Sequence, residues 1–228
     1  MSISFRVISI GALAAHPLWH ERGEVRPGHA TTTLITVGKA NILVDPSLPP
    51  QVLTPRLAER ANLKPDQITH VFLTCLHPNH RRGIKLFEKA EWLVSTLERE
   101  TIGVGLVQKF HEARDAGDTD LAHTLYHEIE VLERIRPAPD ALAKGVDLFP
   151  LYGVTPGSAG LLLAMRGATT LICGDAVPTQ EHLEQGQVLS PCHDLVQARE
   201  SFAEAVEIAD FLVAGRDNLL INQTRRPF

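Results

Sequence analysis

Short apolar runs bounded by turn residues dominate the hydrophobic pattern of this chain. They predict strands over Phe5–Ile10, Thr32–Val37, Asn41–Val44, Val71–Thr74, Glu91–Val94, Gly160–Met165, Thr169–Cys173 and Phe211–Ala214. Two pairs of these runs flank Gly38-Lys39 and Arg166-Gly167, so each pair predicts a hairpin. Several runs are apolar at consecutive positions. A strand of that kind is buried on both faces. A period near 3.6 takes over between the strands. Leu195, Ala198, Phe202, Ala205 and Ala209 share one helical face, and Asp194 stands where an N-cap belongs. Val52–Ala61 predicts a helix with Pro65 beyond its end. Ser95–Ala116 and Asp118–Arg134 predict two longer helices, the second stopped by Pro137 and Pro139. Helices outside two packed sheets satisfy both the continuous strands and the amphipathic helices.

Composition narrows the function. At 228 residues with 44% hydrophobic content, the chain can build a sizeable core, and residues 1–228 are expected to form one domain. There are 22 Lys and Arg against 27 Asp and Glu, a net charge of −5, which argues against nucleic-acid binding. No basic stretch stands out apart from the short Arg225-Arg226 segment. No apolar segment approaches the ~18 residues of a membrane span, and the N-terminus lacks the pattern of a secretion signal. A cytoplasmic protein is expected. Three widely spaced cysteines are read as thiols rather than a disulfide framework.

The candidate chemistry lies in Thr74-Cys75-Leu76-His77-Pro78-Asn79-His80, directly after an apolar run. In an extended segment Cys75 and His77 point to the same side. His80 follows a proline that bends the chain. Thiolate and imidazole together suit zinc or iron. The competing reading is that both histidines are ordinary polar loop residues and Cys75 a small buried hydrophobe.

Five segments, in order, resemble the metallo-β-lactamase-fold superfamily. Thr69–Thr74 with Cys75–His80 resembles its strand and His-x-His-x-Asp-His loop. Ile42-Leu43-Val44-Asp45-Pro46 resembles the strand and aspartate turn of its second hairpin. Gly153–Ser158 resembles its Gly-His-Thr-Pro-Gly-Ser turn. Gly174-Asp175-Ala176 resembles the segment with the bridging carboxylate, and Gly215-Arg216-Asp217 the final Gly-His-Asp element. The resemblance spans about His29 to Asn218. It implies a four-layer αββα sandwich and a hydrolase of small esters, thioesters, amides or phosphoesters.

The departures from that pattern matter as much as the matches. His77, His80 and Asp175 match ligand positions, whereas Cys75, Asn79, Val154 and Arg216 replace His, Asp, His and His. Val154 cannot bind a metal, and Arg216 has no acceptor and keeps its proton. A two-metal centre is therefore not expected. Two outcomes stay open. Either Cys75, His77, His80 and Asp175 collect one zinc or iron ion, or no metal binds and Arg216 pairs with Asp175, supplying the charge the metals would have supplied. Asn79 and Arg216 then line a pocket for a small-molecule ligand or substrate. The first outcome implies a divergent hydrolase with at most one metal. The second implies a non-catalytic pocket that binds an anion through Arg216. A weaker alternative is a thiol enzyme using Cys75, made reactive by a neighbouring histidine.

Other polar residues are read more plainly. His16, His20 and His29 precede the first hairpin and could replace a missing ligand, though surface loops often carry histidine. Cys192, His193 and Asp194 should lie near the pocket mouth, with Asp194 as a helix cap. Cys173 is expected to pack inside a strand. His111, His123, His127 and His182 are read as solvated or packing residues.

Overall fold

The computed structural model describes residues 2–223, so Arg225-Arg226 lies outside the described residues. Two six-stranded sheets form its centre. The first contains β1 (Ile3–Ser9), β2 (Thr32–Val37), β3 (Ala40–Val44), β4 (His70–Leu73), β5 (Glu91–Val94) and β6 (Arg136–Pro137), paired in that order. The second contains β7 (Ala141–Ala143), β8 (Val146–Pro150), β9 (Ala159–Met165), β10 (Ala168–Gly174), β11 (Phe211–Ala214) and β12 (Leu219–Ile221), also side by side in chain order. The helices are α1 (Pro50–Ala61), α2 (Thr96–Asp115), α3 (Thr119–Arg134), α4 (Gln180–Gln185) and α5 (Leu195–Ile208).

Both predicted hairpins form, with Val37 opposite Ala40 and Met165 opposite Ala168. Consecutive apolar residues in a strand serve different layers. In β3, Ile42 and Val44 face the second sheet, while Leu43 faces the helices. Phe72 of β4 enters the core between the sheets, and Val71 and Leu73 pack towards Leu53 and Leu57 of α1. In β10, Ile172 joins the inter-sheet core, while Leu171 and Cys173 pack with Phe202 and Ala205 of α5. Each fully buried aliphatic side chain contributes about 1.5–3 kcal/mol relative to exposure, so burial on both faces is what holds these strands in one register.

The differences from the sequence-based expectations have local causes. The first strand runs Ile3–Ser9 rather than Phe5–Ile10, because its pairing with β2 extends back to Ile3. The first helix starts at Pro50, where a missing N–H costs nothing. Strands β6, β7, β8 and β12 and the short helix α4 were not predicted. β8 alternates apolar and polar positions weakly, and β12 is a three-residue edge strand.

Parallel pairing places the site. β3 runs parallel to β4, and β10 runs parallel to β11, so four carboxyl ends converge at one edge of the sandwich. The first carries Asp45, the second Thr74 and Cys75, the third Asp175 and the fourth Arg216. The sheets are stitched there by Ala159 N–H donating to Thr74 O (2.9 Å) and Thr31 N–H donating to Gly215 O (2.7 Å). Two glycines permit the close approach. A Cβ on Gly174 (φ 54°) would meet Thr74 Oγ1 at 2.7 Å, and one on Gly215 would meet Gly174 O at 2.3 Å.

Candidate functional site

Asp45 sets the floor of the pocket. It is 2% exposed and sits in the left-handed region (φ 48°), an uncommon conformation for a non-glycine residue. Its carboxylate accepts from Thr74 N–H (Oδ1, 2.9 Å) and Thr74 Oγ1–H (Oδ2, 2.6 Å). His80 lies fully buried above it, with Nδ1 3.0 Å from Asp45 Oδ2 and Nε2 3.1 Å from Asp175 Oδ2.

Arg216 closes the floor. Its Nε donates to Asp175 Oδ1 (2.7 Å) and its Nη2 to Asp175 Oδ2 (2.7 Å), a two-pronged pair that is almost wholly buried. Nη2 also lies 2.8 Å from His80 Nε2 and donates to Asn79 Oδ1 (3.2 Å). Burial works against the Asp175 charge, but Arg216 and His80 outweigh it and hold the carboxyl well below its usual range. Burial likewise opposes a charged His80. The Asp45 and Asp175 carboxylates on either side of the ring act against burial, and its pKa is raised well above the ordinary imidazole value. As an imidazolium, His80 donates from both nitrogens to the two carboxylates, and its Nε2 and Arg216 Nη2 converge on the same Asp175 oxygen.

Cys75 is 3% exposed, and burial pushes its thiol pKa up. A thiol held in its protonated form is a poor nucleophile, so the structure disfavours the Cys75-dependent enzyme. Burial also raises the thiol pKa of Cys173, the packing residue inside β10. The ligand atoms of Cys75, His80 and Asp175 lie within 4.8 Å of one another. His77, expected as a fourth ligand, lies outside that group. It is exposed at the pocket rim, its ring 6.4 Å from that of His80. Burial, opposed by the bond to Asn79, lowers its pKa, aided by the charges of His80 and Arg216. His77 is thus a neutral base. Its Nδ1 lies 2.8 Å from Asn79 Oδ1, the oxygen that also accepts from Arg216. Asn79 N–H also approaches Nδ1, at 3.4 Å, but the shorter contact is to an oxygen that Arg216 fixes as an acceptor, and it assigns the ring proton to Nδ1 and the lone pair to Nε2.

These side chains do not fit a two-metal centre. Val154 offers no donor atom, and a guanidinium occupies both oxygens of Asp175 and approaches His80 Nε2. Even a single ion among Cys75, His80 and Asp175 would have to remove a thiol proton, free an imidazole nitrogen and displace Arg216.

Glu98 was not singled out from the sequence. It is fully buried in the first turn of α2. Its carboxylate accepts from Leu76 N–H (2.9 Å), Thr155 Oγ1–H (2.7 Å) and Gly157 N–H (3.0 Å), tying the 74–80 loop to the 153–158 turn. The Ser95-x-x-Glu98 spacing marks a capping box, and Ser95 does cap Glu98 N–H (3.2 Å). The carboxylate, however, turns to the two loops.

The remaining candidates fall outside the pocket group. His16 is buried against Trp19 (ring centroids 4.1 Å apart) and Thr179 (3.1 Å). His20 ends a turn, and both ring nitrogens of His29 face backbone carbonyls. The 192–194 segment does reach the rim, where His193 N–H and Asp194 N–H donate to Val154 O and Gly153 O. Asp194 caps α5 through Val196 and Gln197 N–H. His182 is a packing residue. Its Nδ1 lies 2.8 Å from Thr179 Oγ1, and burial takes its pKa down to about 4.

Strand order, paired parallel ends and this polar floor define an αββα sandwich with a polar site at one edge. The sequence profile of the Metallo-beta-lactamase superfamily matches residues 25–213, and the chain belongs to that superfamily. Among curated proteins, none matches the sequence. A Thermotoga maritima protein assigned to the metallo-beta-lactamases shares 19% identity, covering 97% of this chain and 100% of its own, with a TM-score of 0.69. AidC, a dizinc quorum-quenching lactonase, shares 18% identity over 78% of this chain and 67% of its own, with a TM-score of 0.61. A quorum-quenching N-acyl homoserine lactone lactonase shares 18% identity over 90% of this chain and 86% of its own, with a TM-score of 0.59. At such identities the likeness establishes the fold. No described helix is long and apolar enough to cross a membrane.

Proposed function

We propose that this protein is a superfamily hydrolase in which a guanidinium replaces the metal centre, acting on a small carboxylic ester, thioester or lactone. One observation carries the proposal: Arg216 bonds Asp175 through both prongs and lies against His80 Nε2, the groups that would otherwise face a cation. Its remaining arm, Nη1, has no hydrogen-bond partner among the described residues, and it is available to a substrate oxygen.

His77 supplies the base. Its Nε2 accepts a proton from water while the water oxygen adds to the carbonyl carbon. The carbonyl oxygen becomes an oxyanion, which Arg216 Nη1–H stabilises in a partly dry pocket. Collapse of the adduct expels an alkoxide or thiolate, which recovers the proton from His77. Asn79 holds His77 and Arg216 in fixed relation, because both bond the same amide oxygen. The lactones named for two structural neighbours are the first substrates to try.

A second reading has one observation in its favour, the three ligand atoms within 4.8 Å. In it, Arg216 swings away and one ion binds Cys75, His80 and Asp175. Elemental analysis and turnover of chelator-washed protein separate the two. The guanidinium reading expects substoichiometric metal and turnover indifferent to EDTA. His77→Ala should lower that turnover about 100-fold or more, the usual contribution of a general base, and Arg216→His should raise metal uptake. Turnover abolished by EDTA supports the single ion. No turnover, with an anion binding only while Arg216 is present, makes the pocket a receptor.

A further inference from the structure

Helix α3 is amphipathic, yet none of its residues is fully buried. Its exposed side carries His123 and His127, one turn apart. Their rings meet at 90° with centroids 4.4 Å apart. His127 Nδ1 donates to Glu130 Oε2 at 2.8 Å, and both of those residues are 50% exposed. His123 has no hydrogen-bond partner among the described residues.

We propose that His123 and His127 form a surface site for a borderline divalent cation, Cu²⁺ or Zn²⁺, independent of the central pocket. Imidazoles four residues apart on a helix share one side and can ligate one ion. With metal–nitrogen bonds of ~2 Å, two imidazoles bound about 90° apart on one ion place their ring centres roughly 4–5 Å apart, and the centroid separation here is 4.4 Å. Glu130 adds the outer contact that such sites use. A carboxylate that accepts from one ring nitrogen fixes the tautomer and leaves the other nitrogen's lone pair for the metal. Imidazole suits copper, nickel and zinc, and copper binds tightest of the divalent series. Water would complete the coordination. The ion would clamp one turn of a helix that tertiary packing holds only on one side. Such a site would also add metal to any elemental analysis of the whole protein, so it bears on how the central pocket is assayed.

The test uses untagged full-length protein, stripped with chelator and titrated calorimetrically with Cu²⁺ and separately with Zn²⁺. One ion per chain is expected, with a rise in melting temperature. Cys75→Ser should leave that ion in place, and His123→Ala or His127→Ala should remove it. Glu130→Gln should weaken it roughly tenfold, as loss of such an outer contact generally does. Circular dichroism verifies that the His123, His127 and Glu130 variants, altered only at exposed positions, keep their helices. Stoichiometry unchanged in both histidine variants, or no uptake by the parent protein, overturns the proposal.

Discussion

The pocket floor and the α2–α3 hairpin obey opposite physics. In the floor, Asp45, His80, Asp175 and Arg216 are all at least nine-tenths buried, and each is bonded to another member or to Thr74. In the hairpin, α3 buries no residue completely, and Val104, Leu121 and Tyr126 are exposed. A buried polar network is held together because every broken link leaves a charge without a partner. An exposed helix is held by its own caps and one apolar stripe. The floor should therefore fail as a whole, and the hairpin should loosen alone.

The largest expected effect breaks the floor. Asp175→Ala leaves the Arg216 guanidinium buried without its carboxylate, which should cost about 3–5 kcal/mol in urea denaturation. The double substitution Asp175→Ala with Arg216→Ala should cost clearly less than the sum of the two single changes, because it removes both charges together. Additive losses would show that the pair is not the unit described.

The framework could be read in the sequence more easily than the network. Both-face burial and the two hairpins followed from consecutive apolar residues at 42–44, 71–73 and 171–173, since packing requirements leave a periodic trace. Arg216 could be recognised as a replacement, and its pairing with Asp175 was one of two outcomes left open. Cys75 and His77 looked alike as ligands, because residues two apart share a face in an extended strand. The chain instead turns into a 3₁₀ segment at Pro78–His80, with His77 as its N-cap, and the two part company. Glu98 carried a local capping signature, and nothing local could show that its carboxylate serves loops near 76 and 157. Long-range polar partners leave no period to read.

Glu98 sharpens the comparison because it belongs to α2 and serves the floor. Glu98→Ala would leave Leu76 N–H, Thr155 Oγ1–H and Gly157 N–H without their shared acceptor. At about 1 kcal/mol or more for each unpaired group, the loss should approach ~3 kcal/mol. It should also slow turnover by displacing the 74–80 loop. A loss confined to stability, with turnover intact, would mean that the loop holds its shape without Glu98.

The smallest effect tests whether the hairpin is a separate cooperative unit. Asp118 caps α3 by accepting from Leu121 N–H at 3.0 Å. Losing such a cap costs about 1 kcal/mol. In hydrogen exchange, Asp118→Ala should reduce protection of the α3 amides by that amount and leave the amides of β4 unchanged, because local opening of α3 does not pass through the floor. Helix α3 itself is tied to the end of the pocket loop by the Arg81–Glu128 ion pair. Glu128 is about one-third solvent-accessible (34%), and solvent screening weakens such a pair, so this tie should not transmit the change. Equal loss of protection in α3 and β4 would mean that the ion pair and the α2–α3 packing couple the two regions, and that the hairpin unfolds only when the sandwich does.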